Sequence, residues 1–214
     1  MLPAILALVL QLPAAVGMIP AKLETAAAPS SIPNAIAGTC VLADIAVDRQ
    51  GRVVEIRILQ GLDPFRDSAA DAIRQWKFAA AHNGSGGQAS ASRVGVLTVF
   101  RPPAIGSDGV GGPAFGYKEP ASPGSTHAPY PRTVKDPGYP PSALGAGATI
   151  IELSIDRRGR ISNMRTVQDV PALTGVTRDA IQSWEFVPAM ESGQPVDGTL
   201  VVVMLFPRPV VRSK

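Results

Sequence analysis

The chain repeats itself at a spacing of 108 residues. Asp48-Arg49-Gln50-Gly51-Arg52 falls on Asp156-Arg157-Arg158-Gly159-Arg160. Asp71-Ala72-Ile73 and Trp76-x-Phe78 fall on Asp179-Ala180-Ile181 and Trp184-x-Phe186. Between residues 41–78 and 149–186 no gap is needed, and 11 of 38 positions are identical. Further upstream, Pro33 and Ala35 match Pro141 and Ala143. Ordered matches at constant spacing mean two copies of one small unit, and whatever fold is assigned must be made twice.

Each copy reads as strand, strand, helix, strand. Val41, Ala43, Ile45 and Val47 alternate with their neighbours, and 150–155 is apolar and β-branched apart from Glu152 and Ser154; both patterns predict strands. An Asp-x-x-Gly turn follows in each copy, then a second strand over 53–59 and 161–167, closing a hairpin. Ala69, Ile73 and Trp76 recur at helical spacing, as do Val176, Ala180, Ile181 and Trp184. The helices are expected to run to about Phe78 and Phe186, with Pro188 stopping the second. Last strands are expected over 94–100 and 199–206. The fold class is therefore α+β: two small units, each with an antiparallel sheet and one packed helix. Both tryptophans are expected in the core.

Residues 101–138 lie between the copies and contain eight Pro and seven Gly in 38 positions. That density predicts a flexible tether. Gly109-Val110-Gly111-Gly112 lacks the preceding strand and following Lys-Ser/Thr of a phosphate loop. At the N-terminus, Leu2 to Ile19 is uncharged and mostly apolar. Residues 1–19 read as an export signal cleaved after Ala15-Val16-Gly17, as an uncleaved membrane anchor, or as a buried apolar helix. The first two place the remainder outside the cytoplasm.

Little in the sequence points to catalysis. His82 and His127 sit in loops without a neighbouring acid. Cys40, the single cysteine, opens an apolar strand and reads as a small buried hydrophobe. Asp48 and Asp156 are accounted for by their turns. Asn83-Gly84-Ser85 reads as a turn rather than a glycosylation acceptor. No metal cluster and no cofactor motif appears. A net charge of +3 without a Lys/Arg cluster argues against nucleic acid as partner.

The ordered motifs of copy two resemble the TonB C-terminal domain, the periplasmic part of the energy transducers that serve outer-membrane transporters. They are Tyr139-Pro140-x-Ser142-Ala143, Ile155-Asp156-x-x-Gly159-x-Ile161, Ala180-Ile181-x-x-Trp184-x-Phe186-x-Pro188-Ala189 and Gly193-Gln194-Pro195-Val196. The resemblance covers 139–206 well. It covers 31–100 more loosely, where the Tyr-Pro opening is missing and Ala80 replaces Pro. It implies a non-catalytic periplasmic module that binds the N-terminal segment of an outer-membrane transporter by β-strand addition. The expected binding edge is the last strand, Leu200, Val201, Val202, Val203, Met204 and Leu205, with Tyr139 and Pro140 at the motif opening. The competing reading of that apolar strand is burial under the helix or pairing with the other copy. A full transducer carries a histidine in its membrane helix and a long Pro-rich spacer after it. Residues 1–20 contain no histidine, and only Pro20 to Ser31 separates the apolar run from copy one. The alternative function is accordingly an envelope structural or interaction module, self-associating through sheet edges, with no energy-transducing role.

Overall fold

The computed structural model describes residues 18–32, 38–84, 87–102, 117–121, 123–139 and 146–207. The first copy contributes β1 (Lys22–Thr25), β2 (Thr39–Val47), β3 (Val53–Gln60), α1 (Phe65–Ile73), β4 (Lys77–Ala79) and β5 (Ser92–Phe100). The second contributes β6 (Tyr130–Pro131), β7 (Gly147–Ile155), β8 (Ile161–Gln168), α2 (Thr174–Gln182), β9 (Phe186–Val187) and β10 (Gly198–Phe206).

The long strands of both copies form one six-stranded sheet, in the order β8-β7-β10-β5-β2-β3. Every neighbouring pair is antiparallel except the central one, where β10 and β5 run parallel from Thr199↔Val94 to Leu205↔Phe100. The expectation of two separate antiparallel sheets is thus replaced by a shared mixed sheet. Successive residues of a strand point to opposite faces. Leu200, Val202, Met204 and Phe206 face α2 together with Cys40, Leu42, Leu97 and Val99 of the first copy. Val201, Val203 and Leu205 face α1 together with Val41, Ala43 and Ile45. Each helix therefore covers a core built by both copies. Parallel equivalent strands with helices on opposite faces relate the copies by a half-turn about an axis running along the strands.

This topology corrects the expected binding edge. Leu200 to Leu205 lies in the middle of the sheet, hydrogen-bonded to β7 on one side and β5 on the other. All six residues are buried. A strand buried on both faces is apolar throughout, which explains the run from Leu200 to Phe206.

The hairpin turns form as expected. Asp48 Oδ1 accepts from the backbone N–H groups of Gln50 and Arg52 at 2.8 and 2.9 Å. Asp156 Oδ1 does the same for Arg158 and Arg160 at 2.8 and 2.9 Å. These bonds, led by those from Arg52 and Arg160, hold both carboxyl groups below their ordinary pKa. Gly51 and Gly159 close the turns at φ 76° and 75°. The Gly51 carbonyl accepts from Phe78 N–H at 2.9 Å. A Cβ on Gly51 would come within 1.7 Å of the Phe78 carbonyl oxygen, whereas one on Gly193, at φ 80°, meets nothing within 4 Å. Gly193→Ala should cost only the left-handed conformational penalty of about 1 kcal/mol. Gly51→Ala should cost at least about 2 kcal/mol, because backbone must also move. Urea unfolding of the two variants measures this, and equal losses would refute the close approach.

The helices are shorter than their periodicity predicts. They end at Ile73 and Gln182, and Trp76 and Trp184 follow in the succeeding turn. The chain after each tryptophan is captured as a strand by a segment upstream of its own copy. Leu23 pairs with Phe78, and Pro131 with Phe186. The pair Ile19↔His82 recurs as His127↔Met190. Trp76 Nε1 donates to the Ala27 carbonyl at 2.9 Å, and Trp184 Nε1 to the Lys135 carbonyl at 3.1 Å. Every one of these equivalences keeps the 108-residue shift. The structural repeat therefore starts near residue 18 in the first copy and 126 in the second, upstream of the ungapped match, where identities are sparse: Thr25 with Thr133 and Pro29 with Pro137.

One further expectation needs correction. The stretch 101–138 is not a tether throughout: His127, Ala128 and Tyr130 are buried, and Tyr130–Pro131 is a strand. Met18 and Ile19, the end of the apolar N-terminal run, form a two-residue strand. Residues 1–17, the rest of the run expected to be a signal, an anchor or a buried helix, lie outside the described residues. No helix among the described residues is long and apolar enough to cross a membrane.

Candidate binding surface

A module that binds by strand addition needs an open strand edge. In the six-stranded sheet that condition is met by its outermost strands, β3 and β8, each with one long-strand neighbour. Both are eight residues long and only partly covered. Sequence reasoning passes over them. The hint is their mixed composition, Val53 to Gln60 and Ile161 to Gln168, which contrasts with the unbroken apolarity of β10.

Just inside each edge sits an acid–arginine pair at equivalent positions. Asp44 on β2 meets Arg57 on β3 at 2.6 Å, and Glu152 on β7 meets Arg165 on β8 at 3.0 Å. Both carboxylates are buried. Each also reaches the upstream segment of the other copy. The Glu152 carboxylate accepts from Leu23 N–H, and Arg165 donates to the Leu23 carbonyl. Asp44 is further held by Arg93 at 2.6 Å and accepts from Ala128 N–H at 3.4 Å. Buried charges demand such partners. Their effect is to interlock the copies.

The two edges differ in what surrounds them. Val54 on β3 and Leu62 just beyond it are 62% and 66% exposed. Beside β8 a groove of about 750 Å³ is bounded by the hairpin turn, the strand, α2 and the residues that follow α2. Arg178 on α2 donates to the Met164 carbonyl at 3.4 Å and to the Thr166 hydroxyl at 3.3 Å.

The residues expected to contact a partner lie elsewhere. Tyr139 is buried, with its ring 5.9 Å from that of Phe206 and the Arg101 guanidinium 4.9 Å from the Phe206 centroid. Pro140 lies outside the described residues. Cys40 is fully buried, and burial above all, with Asp136 nearby, pushes its thiol far above the ordinary range. Such a thiol is a packing group rather than a nucleophile. Among the described residues no group of three metal-ligating side chains comes together.

The fold is thus a duplicated α+β unit whose interlocked copies leave two long strands at the outer edges of one sheet. The family model described as Gram-negative bacterial TonB protein C-terminal matches this chain twice, over residues 31–101 and 135–206. The chain belongs to that family and carries its domain in tandem. No curated protein matches it. Domains of this family are periplasmic, non-catalytic modules that interact with outer-membrane transporters.

Proposed function

We propose that this protein is a periplasmic binding module whose partner lays an extended segment along an open edge of the shared sheet. Family membership favours the N-terminal segment of an outer-membrane transporter as that partner, in energy-coupled transport. One observation carries the choice of edge: β5 and β10 are paired with each other, so β3 and β8 are the long strands with an open side. An added strand satisfies their outward N–H and C=O groups. Binding at Leu200 to Leu205 would require breaking the parallel pair at the centre of both cores. The self-associating envelope module remains a second reading, supported by the exposed apolar Val54 and Leu62 beside β3.

A photoreactive side chain placed at Val54, Asn163 or Val202 of the full chain, in cells of the source, tests both. Cross-links from position 54 or 163 to the N-terminal segment of a transporter are expected, with none from 202. Cross-links only to further copies of the chain would select the second reading. Transporter cross-links confined to position 202 would overturn the edge assignment.

A further inference from the structure

Resting on strand addition as the binding mode, we infer that β8 is the working edge and that its occupant is an extended segment carrying acidic side chains. Three arginines, Arg158, Arg160 and Arg178, line the groove beside β8, together with the apolar parts of Ile161, Met164 and Phe186. None of the three arginines forms an ion pair among the described residues, whereas Arg157 and Arg165 next to them do. Glu185 is the one carboxylate lining the groove. Asp156 lies in the adjacent turn, with one carboxylate oxygen taken by two backbone N–H groups; its charge also acts on Arg158 and Arg160 without a close ion pair, which leaves three guanidinium groups facing two carboxylates. Positive charge is therefore in excess. Arg178 is half-buried and held against the strand by its two hydrogen bonds, so its guanidinium is positioned before any partner arrives.

The first copy serves as an internal control. On the same backbone, shifted by 108 residues, the three positions are Gln50, Arg52 and Ala70. Arg52 is already paired with Asp48 at 2.8 Å. The neighbouring Arg74 is paired with Asp71. Duplication supplied two equivalent edges, and the unpaired arginines are present at one of them.

The chemistry follows. An added strand gives main-chain hydrogen bonds to β8, and every second side chain of it faces the groove side. A Glu or Asp there meets guanidinium groups able to bind carboxylate in a planar fork. A Lys at the same place meets three like charges. Exposed arginines also steer an acidic segment toward the edge, an effect that salt screens.

Fluorescence anisotropy on the full exported chain tests this with labelled peptides of alternating Thr and Val, carrying Glu, Gln or Lys at successive groove-facing positions. The Glu peptide is expected to bind best and the Lys peptide worst. Arg158→Gln combined with Arg160→Gln should weaken the Glu peptide roughly tenfold, as should about 0.5 M salt, with the Gln peptide unaffected. Arg52→Gln in the first copy should change nothing. Equal binding of Glu and Gln peptides, indifferent to the arginine substitutions, would overturn the acidic preference while leaving strand addition in place. Glu-peptide cross-links at Val54 instead of Asn163 would overturn the assignment to β8. Failure of every peptide to bind would overturn this inference; only the additional absence of partner cross-links at both edges would overturn strand addition itself.

Discussion

Residues 18–102 produced without the second copy will not give a folded monomer. The core under α1 contains Ala148, Ile150, Val201, Val203 and Leu205 from the other copy. Removing them uncovers Val94 and Val96 of β5 and the face of α1 that now packs beside them. It also leaves the parallel-bonding side of β5 open over its whole length, an unpaired apolar edge. The Glu152–Arg165 clamp on Leu23 is lost as well. Two outcomes satisfy those groups: unfolding, or pairing of two fragments so that a second β5 takes the place of β10. The half-turn relation between the copies makes the fragment surface self-complementary, as in an isologous dimer. Sedimentation equilibrium with far-ultraviolet circular dichroism distinguishes these states. Unfolded chain or a concentration-dependent dimer is expected, and mixing with residues 117–214 should restore a one-to-one complex. A fragment that stays monomeric at micromolar concentration and unfolds in one sharp transition would contradict the shared core.

The division of the fold into legible and illegible parts follows from what each element asks of its residues. The hairpins ask for Asp and Gly at fixed offsets, and Asp48, Gly51, Asp156 and Gly159 announce them. The helices ask for an apolar stripe, which Ala69, Ile73 and Ile181 supply. Their ends are hidden because Trp76 and Trp184 continue the helical spacing while packing from the turn beyond. The upstream strands leave almost no trace: Lys22–Thr25 and Tyr130–Pro131 occupy the same place, and across that segment only Thr25 recurs, as Thr133. Backbone pairing needs N–H and C=O groups rather than particular side chains. The central position of β10 is open to reading from its unbroken apolarity, since an edge strand normally carries a charge or a break. Apolarity alone does not say which strand lies on the far side. That partner, β5, comes from the other copy, and pairing between copies has no local signal. The binding surface escapes the sequence for the same reason: which strands become edges is decided only when all six are in order.

Truncation of either tryptophan will bring the whole molecule close to unfolding, because the loss is felt in both copies. Trp184 is 5% exposed and packs with Phe186, Leu173 and Ile181 in a core that includes Cys40, Leu42, Leu97 and Val99 of the first copy. Its indole N–H also satisfies the Lys135 carbonyl, which ties residues 130–139 to the domain. Trp184→Ala removes the largest side chain of that core, and large-to-small changes of this kind cost about 3–5 kcal/mol. Against a total stability of roughly 5–15 kcal/mol, that is a large fraction. Trp184→Phe keeps an aromatic ring but leaves a smaller gap and an unsatisfied carbonyl, for an expected loss of about 1–3 kcal/mol. Because strands of both copies line the cavity, the first copy should lose stability by the same amount, and unfolding should remain one transition. Urea unfolding followed by Trp76 fluorescence in the Trp184→Phe variant reports the first copy, and circular dichroism reports the whole. Coincident curves, shifted together, are expected; a Trp76 signal that keeps its original midpoint while the rest unfolds earlier would mean that the copies are independent. Amide exchange adds a local reading. Amides over 130–135 should exchange faster in Trp184→Phe, while those over 22–27, pinned by Trp76, should show only the loss common to the whole molecule.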